Sequence, residues 1–155
     1  MINRIDKPAR TRHAKLLRNL VNGRITNDEY EDSIPTSEDP AVYEVFADGG
    51  WLLYSDMKEY KLIGKQALNK EQRKFAAKCI LFLRSEIPYR WAPMTGRPFF
   101  ENIANRITFG LAYSQSVKKR RDVNDAGDTD VWPFYCKEDL DTALQKPTYL
   151  HGVQC

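Results

Sequence analysis

Apolar positions along this chain recur mainly at helical spacing. In RTRHAKLLRNLVNG, Leu16, Leu17, Leu20 and Val21 fall on one face, and Asn22-Gly23 supplies a left-handed stop. In RITNDEYEDSIP, Thr26 and Glu29 have capping-box spacing and Pro35 closes a short second helix, so residues 1–35 read as a helical hairpin. A third helix opens with Asp39 as its cap and Pro40 in the first helical position. Val42, Val45, Phe46, Gly49 and Leu53 then share a stripe, provided that the helix continues to Tyr54. Gly49 would sit on that buried stripe and admit a neighbouring helix or the ring of Trp51. Two glycines inside a helix cost about 2 kcal/mol relative to two alanines, so either close packing offsets the cost or the helix breaks there.

After the irregular, charged SDMKEYKLIGKQ, Asn69 caps a helix through KEQRKFAAKCILFLRSE. Phe75, Cys79, Phe82 and Leu83 mark its stripe, and Ile80 to Leu83 read as buried nearly all round, which makes this the central helix. IPYRWAPMTGRP carries three prolines and is not helical. A further helix is expected from Pro98, with Phe100, Ile103, Ala104, Ile107 and Leu111 on one face, fading past Gly110 toward KKRRD. VNDAGDTD is a loop, and VWPFYCKEDLDTALQKP an aromatic turn followed by a short helix. No strand signal matches these in strength. The expectation is an all-α, single-domain irregular bundle of about five to six helices with proline- and aromatic-rich connections, its hairpin at 1–35 and its main bundle at 36–155.

Residues 14–34, a Leu-rich helix running into Gly-x-Ile-Thr and then an acidic helix carrying Tyr30, resemble the short C-terminal helical hairpin family (SHOCT-like). The resemblance implies an association surface. The run from Ser55 to Trp91, together with VWPFYCKEDLDTAL, is similar to stretches of small uncharacterised bacterial proteins; it implies a bacterial or phage origin and no chemistry.

Composition narrows the class. A chain of 155 residues is about one domain and buries roughly two thirds of its unfolded surface. With 42% hydrophobic and 12% aromatic residues it lies on the globular side of the disorder boundary. CILFL is too short to span a bilayer, and charges interrupt the N-terminus too often for a signal peptide. Three scattered cysteines fit a reducing compartment better than a disulfide framework, so a soluble, cytoplasmic protein is expected. The net charge of +3 hides strong blocks. Residues 1–24 carry seven Lys/Arg against one acid, and 25–59 ten acids against one Lys. Residues 60–121 carry fourteen bases against three acids, and 122–155 seven acids against two Lys. Either adjacent blocks neutralise one another on packing, or the surface is bipolar and steers a charged partner.

Few chemistries find their residues. DGGWLLYS lacks the lysine and glycine register of a phosphate cradle. Asp48, Asp56 and Glu59 would form a carboxylate site only if the chain turned after Tyr54 to bring them together, and acids at helix ends are more often solvated caps. Asp122, Asn124, Gly127, Asp128 and Asp130 match several places of an EF-hand loop, but Ala126 and Pro133 occupy two that matter. Cys136, His151 and Cys155 fall short of the four ligands of a closed zinc site. Nucleophilic catalysis needs a base beside the nucleophile, yet only His13 and His151 exist, and Cys79 lies on an apolar stripe. No cofactor and no metal site is expected.

Two binding readings remain. Lys118, Lys119, Arg120 and Arg121, with Lys61, Lys65, Lys70, Arg73, Lys74 and Lys78, would form a nucleic-acid footprint if aligned on one face. The favoured reading is a non-enzymatic protein-binding module. Its proposed contact residues are Asp48, Trp51, Tyr54, Asp56, Glu59 and Tyr60, and Tyr89, Trp91, Trp132 and Tyr135 add further aromatics in the irregular crossings. By analogy with bacterial immunity or inhibitor proteins, the partner would be a basic, toxin-like protein, with no membrane involved. A homo-oligomer is compatible with the same pattern.

Overall fold

The computed structural model describes residues 4–91 and 127–145. The helix expected from Pro98, the basic run Lys118 to Arg121, and His151 and Cys155 lie outside the described residues. Within them the chain is all-α, with helices α1 (Lys7–Val21), α2 (Asn27–Ser33), α3 (Pro40–Asp48), α4 (Lys70–Arg84) and α5 (Lys137–Gln145). Short 3-10 turns cover Gly50–Leu53, Gly64–Gln66 and Thr129–Val131. Among the described residues the sole β feature is an isolated bridge between Thr26 and Lys61.

Local signals set the helix ends. Asp6 caps α1 by accepting the Ala9 N–H at 3.0 Å. At the other end the Gly23 N–H reaches the Leu20 carbonyl at 3.0 Å and the Arg24 N–H reaches Asn19 at 2.9 Å, with Gly23 at φ +66°. This is the Schellman stop, which leaves a left-handed position that glycine adopts without strain. Thr26 with Glu29 and Asn69 with Gln72 form reciprocal capping boxes on α2 and α4. Asp39 caps α3 with Pro40 in its first turn.

Helix α1 lies antiparallel along α4: Arg10 near its start bonds the Ile87 carbonyl just beyond the end of α4, and Lys7 pairs with Glu86. One core joins Leu17 and Leu20 of α1, Tyr30 of α2, Val45 of α3, Phe82 and Leu83 of α4 and Phe134 before α5. Each fully buried Leu or Phe contributes about 1.5–3 kcal/mol over an exposed one. Two expectations change. The α3 helix ends at Asp48 and does not reach Tyr54, because the chain tightens into the 3-10 turn at Gly50. Ile80 and Leu81 are half-buried, with one side of α4 left open between α1 and α5.

The inner face of α1 holds polar residues as well: Arg10 and His13 are buried. The Arg10 guanidinium grips the Asp39 carboxylate, with Nη2 donating to Oδ1 at 3.1 Å, and donates from Nη1 to the Ile87 carbonyl at 2.7 Å. It also lies over the Phe82 ring, 5.1 Å from the centroid. Asp39 further accepts the N–H groups of Asp6 and Ala41, so one buried ion pair ties α1, α3 and the end of α4 together.

Candidate functional site

The stretch from Phe46 to Tyr60 divides at Tyr54. Its first half belongs to the core. A side chain on Gly49 would put Cβ 2.4 Å from the Val45 carbonyl and 3.2 Å from the Cys79 sulfur. One on Gly50 would put it 2.1 Å from the Tyr30 hydroxyl. Tyr30 cannot give way, since it is buried and its hydroxyl meets His13 Nε2 at 2.7 Å. The two glycines are therefore packing residues.

Asp48 and Tyr54 correct the expectation of exposed contact residues. Each is only 3% exposed, Asp48 at the end of α3 and Tyr54 edge-on against Tyr30. Asp56 and Glu59, by contrast, are exposed, so the three carboxylates do not share one solvent-facing surface. Trp51 and Tyr60 are half-buried. The other aromatics of the crossings also serve the core. Trp132 stacks on Phe75 with ring centroids 5.7 Å apart. Trp91 donates to the Phe134 carbonyl at 3.1 Å and closes over Gly127. Tyr89 is buried, and Tyr135 is half-buried beneath Arg90. Trp and Tyr near prolines plug the ends of this bundle because their large apolar faces fill gaps that helix stripes leave open.

The second half, residues 55–60, is a surface loop held in one shape by a residue that periodicity did not single out. Asn27 is fully buried at the start of α2. Its Nδ2 donates to the Ser55 and Lys58 carbonyls at 3.3 and 3.1 Å, and its Oδ1 accepts the Tyr60 N–H at 2.8 Å. The Asn27 N–H donates to the Tyr60 carbonyl at 3.1 Å, and the Tyr60 hydroxyl accepts the Ser55 N–H at 2.7 Å. Thr26 ties on the last acid, its hydroxyl donating to Glu59 at 2.8 Å while its N–H donates to Glu29 at 2.7 Å. Glu29 and Glu59 thus converge on one threonine. Asp28 and Asp32 on α2 and Asp56 and Lys58 in the loop are exposed as well, and Met57 is 84% exposed.

His13, Tyr30 and Cys79 are locked in the core, while the Cys136 thiol is half-buried. Burial pushes His13 down to about 4, with the neighbouring Val42 backbone acting in the opposite direction. Burial pushes the Cys79 thiol up to about 12 and raises Tyr30 well above its ordinary value. Asp128, counted above with the calcium pattern, caps the 3-10 turn by accepting the Asp130 N–H at 3.0 Å. Among the described residues no three metal-ligating side chains gather.

Hollows open on the surface formed by the described residues. One, of about 610 Å³, lies between the N-termini of α1 and α3, lined by Asp6, Ser37 and Asp39 among others, whose polar atoms cap those helices and bond one another. Another, of about 480 Å³, lies over α4 between α1 and α5, with an apolar floor and cations at its edges. No family model, curated protein or solved structure matches the chain. No helix among the described residues is long and apolar enough to cross a membrane.

Proposed function

We propose that the protein is a non-enzymatic binding module of the inhibitor or immunity type, and that it engages a basic protein partner through α2 and the 55–60 loop. The observation that carries this reading is the Asn27 clamp. A loop of six residues without helix or strand is fastened at Ser55, Lys58 and Tyr60 by one buried side chain, so its outward groups are ordered before a partner arrives. Preorganisation of this kind lowers the entropy lost on association. The displayed groups suit a cationic partner: Asp28, Glu29, Asp32, Asp56 and Glu59 supply charge, and the exposed Met57 of the loop a flexible apolar contact. Tyr54 packs edge-on against Tyr30 of α2, and Tyr60 closes the loop on Ser55. The free thiols of Cys79 and Cys136 suit a reducing, cytoplasmic setting for such a module.

Affinity capture from cells that make the protein, followed by binding kinetics with the recovered partner, tests the reading. The expected partner is basic, associates more slowly as salt rises, and leaves about tenfold faster from Met57→Ala than from the native chain. A partner that binds Met57→Ala, Asp56→Asn and Glu59→Gln as it binds the native protein would rule this face out.

A further inference from the structure

The hollow over α4 is a different kind of surface from the acidic loop. Its floor is Ala77, Ile80 and Leu81 of α4, walled by Val21 of α1 and by Leu140 and Leu144 of α5. Leu144 is 53% exposed, while Ala143 beside it turns into the core. Three cations rim this apolar floor: Arg18 on α1, and Arg73 and Lys78 on α4. Among the described residues no acidic side chain lines it. Lys78 is partly engaged, since its ammonium donates to the Asp130 carbonyl at 2.8 Å. Burial lowers its pKa, against the pull of Cys79, Asp130 and Asp128. Arg18 and Arg73 are different: among the described residues neither is paired with a carboxylate, and the one side-chain bond of Arg73 goes to the Leu68 carbonyl at 3.3 Å.

We infer that this groove receives an acidic amphipathic helix of a protein partner. The shape sets the first part of the argument. Among the described residues the floor runs along α4 between two flanking helices and is open above, which is the geometry in which a further helix lays a stripe of large apolar side chains between two others. Charge sets the second part. Arg18 comes from α1 and Arg73 and Lys78 from different turns of α4, so the rim offers more than one cation to a ligand with several carboxylates spaced along an apolar stripe. A single carboxylate on a hydrocarbon chain would use one of them. Apolar residues at i, i+4 and i+7 flanked by Glu or Asp meet both demands. This surface is independent of the acidic loop, and its partner carries the opposite charge.

The probe is a fluorescein-labelled synthetic peptide of about 18 residues, long enough to hold a helix, with leucines at i, i+4 and i+7 and glutamates on both flanks. Fluorescence anisotropy against the full chain should show saturable binding that weakens as salt rises. Leu144→Asp should weaken it about tenfold or more, and so should the pair Arg18→Glu with Arg73→Glu. Those side chains are exposed, so circular dichroism should find both variants folded. The decisive arm exchanges the charges: a peptide with lysine in place of each glutamate should bind the native chain poorly and the Arg18→Glu, Arg73→Glu variant well. Absence of saturable binding to the native chain overturns the inference. So does equal binding of the glutamate and lysine peptides, which would mark the groove as merely sticky. Displacement of the peptide by one equivalent of a free fatty acid would reassign the groove to a small amphiphile.

Discussion

Around Arg10 the chain buries its charges, whereas around Asn27 it displays them. The two places lie at opposite ends of the same hairpin. At the first, Arg10 and Asp39 are almost fully buried and meet each other, two backbone carbonyls and the Phe82 ring. At the second, Asn27 is buried and neutral, and the acids that surround it face water. Buried charge is bound to one geometry, because leaving either partner alone in the core is far costlier than the pair is stabilising. Exposed charge is nearly free of the fold and available to a partner. Stability and binding should therefore separate along this line, and variants on each side test whether they do.

The largest effect is expected at Arg10. Arg10→Ala strands the Asp39 carboxylate in the core and empties the place over Phe82, which should cost about 3–5 kcal/mol. Denaturant unfolding measures it. A loss below about 1 kcal/mol would mean that water reaches Asp39 and that the junction is no different from the surface.

Next come the glycines. Gly50→Ala drives a methyl group into the hydroxyl end of Tyr30, whose oxygen also meets His13, and should cost about 1–3 kcal/mol. Gly49→Leu should cost at least as much, since Val45, Cys79 and Trp132 all close on that position. If Gly50→Ala melts like the native chain, Tyr30 has room to move and the buried side of the comparison is looser than drawn.

His13 gives the buried side a dependence on pH. Its folded value of about 4 lies below the usual 6.5, so the unfolded chain takes up the proton first as pH falls. The stability from neutral, buried His13 is complete above about pH 6.5 and is lost progressively toward pH 4. One pH unit below the unfolded value the loss is about 1.4 kcal/mol. Urea midpoints at about pH 7.5 and about pH 5.5 should show it in the native chain and not in His13→Gln. An equal drop in both proteins would place the titrating group elsewhere.

What the sequence reveals of this fold divides along the same line. Caps and stops are local, so Asp39, Thr26 with Glu29, Asn69 and the Asn22-Gly23 stop stand where their spacing puts them. The buried face of α1 is harder to read, because periodicity assigns polar residues outward. The signal was present: stepping back from Leu17 by three and four lands on Ala14 and His13, and then on Arg10. What cannot be read locally is the partner that makes burial tolerable. Asp39 lies 29 positions away and the Ile87 carbonyl 77. Asn27 hides for the same reason, since its partners at Ser55 to Tyr60 come from a loop without periodicity. Asp48 reads as an exposed helix end and Tyr54 as an aromatic of an irregular crossing, yet both are buried. Asp48 is buried as the last residue of α3, and beyond the 3-10 turn at Gly50 Tyr54 packs against Tyr30, a partner 24 positions away.

The smallest stability effect, and the sharpest test of the displayed side, is expected for Asp56→Asn and Glu59→Gln. Both positions are exposed, and Gln at 59 keeps an oxygen to accept the Thr26 hydroxyl, so the Asn27 clamp should stand. Each substitution should change stability by less than about 0.5 kcal/mol, within the range of ordinary surface changes. Binding should respond where folding does not. Removing an exposed charge beside a basic partner slows the encounter and flattens its dependence on salt, while dissociation, governed by the packed contacts near Met57, changes little. Thermal melts and association kinetics on the same preparations decide the matter. If Glu59→Gln lowers the melting temperature as Arg10→Ala does, the carboxylate at Thr26 belongs to the buried kind of charge. The acidic face would then be part of the scaffold, and its claim on a partner would pass to Asp28, Asp32 and Asp56.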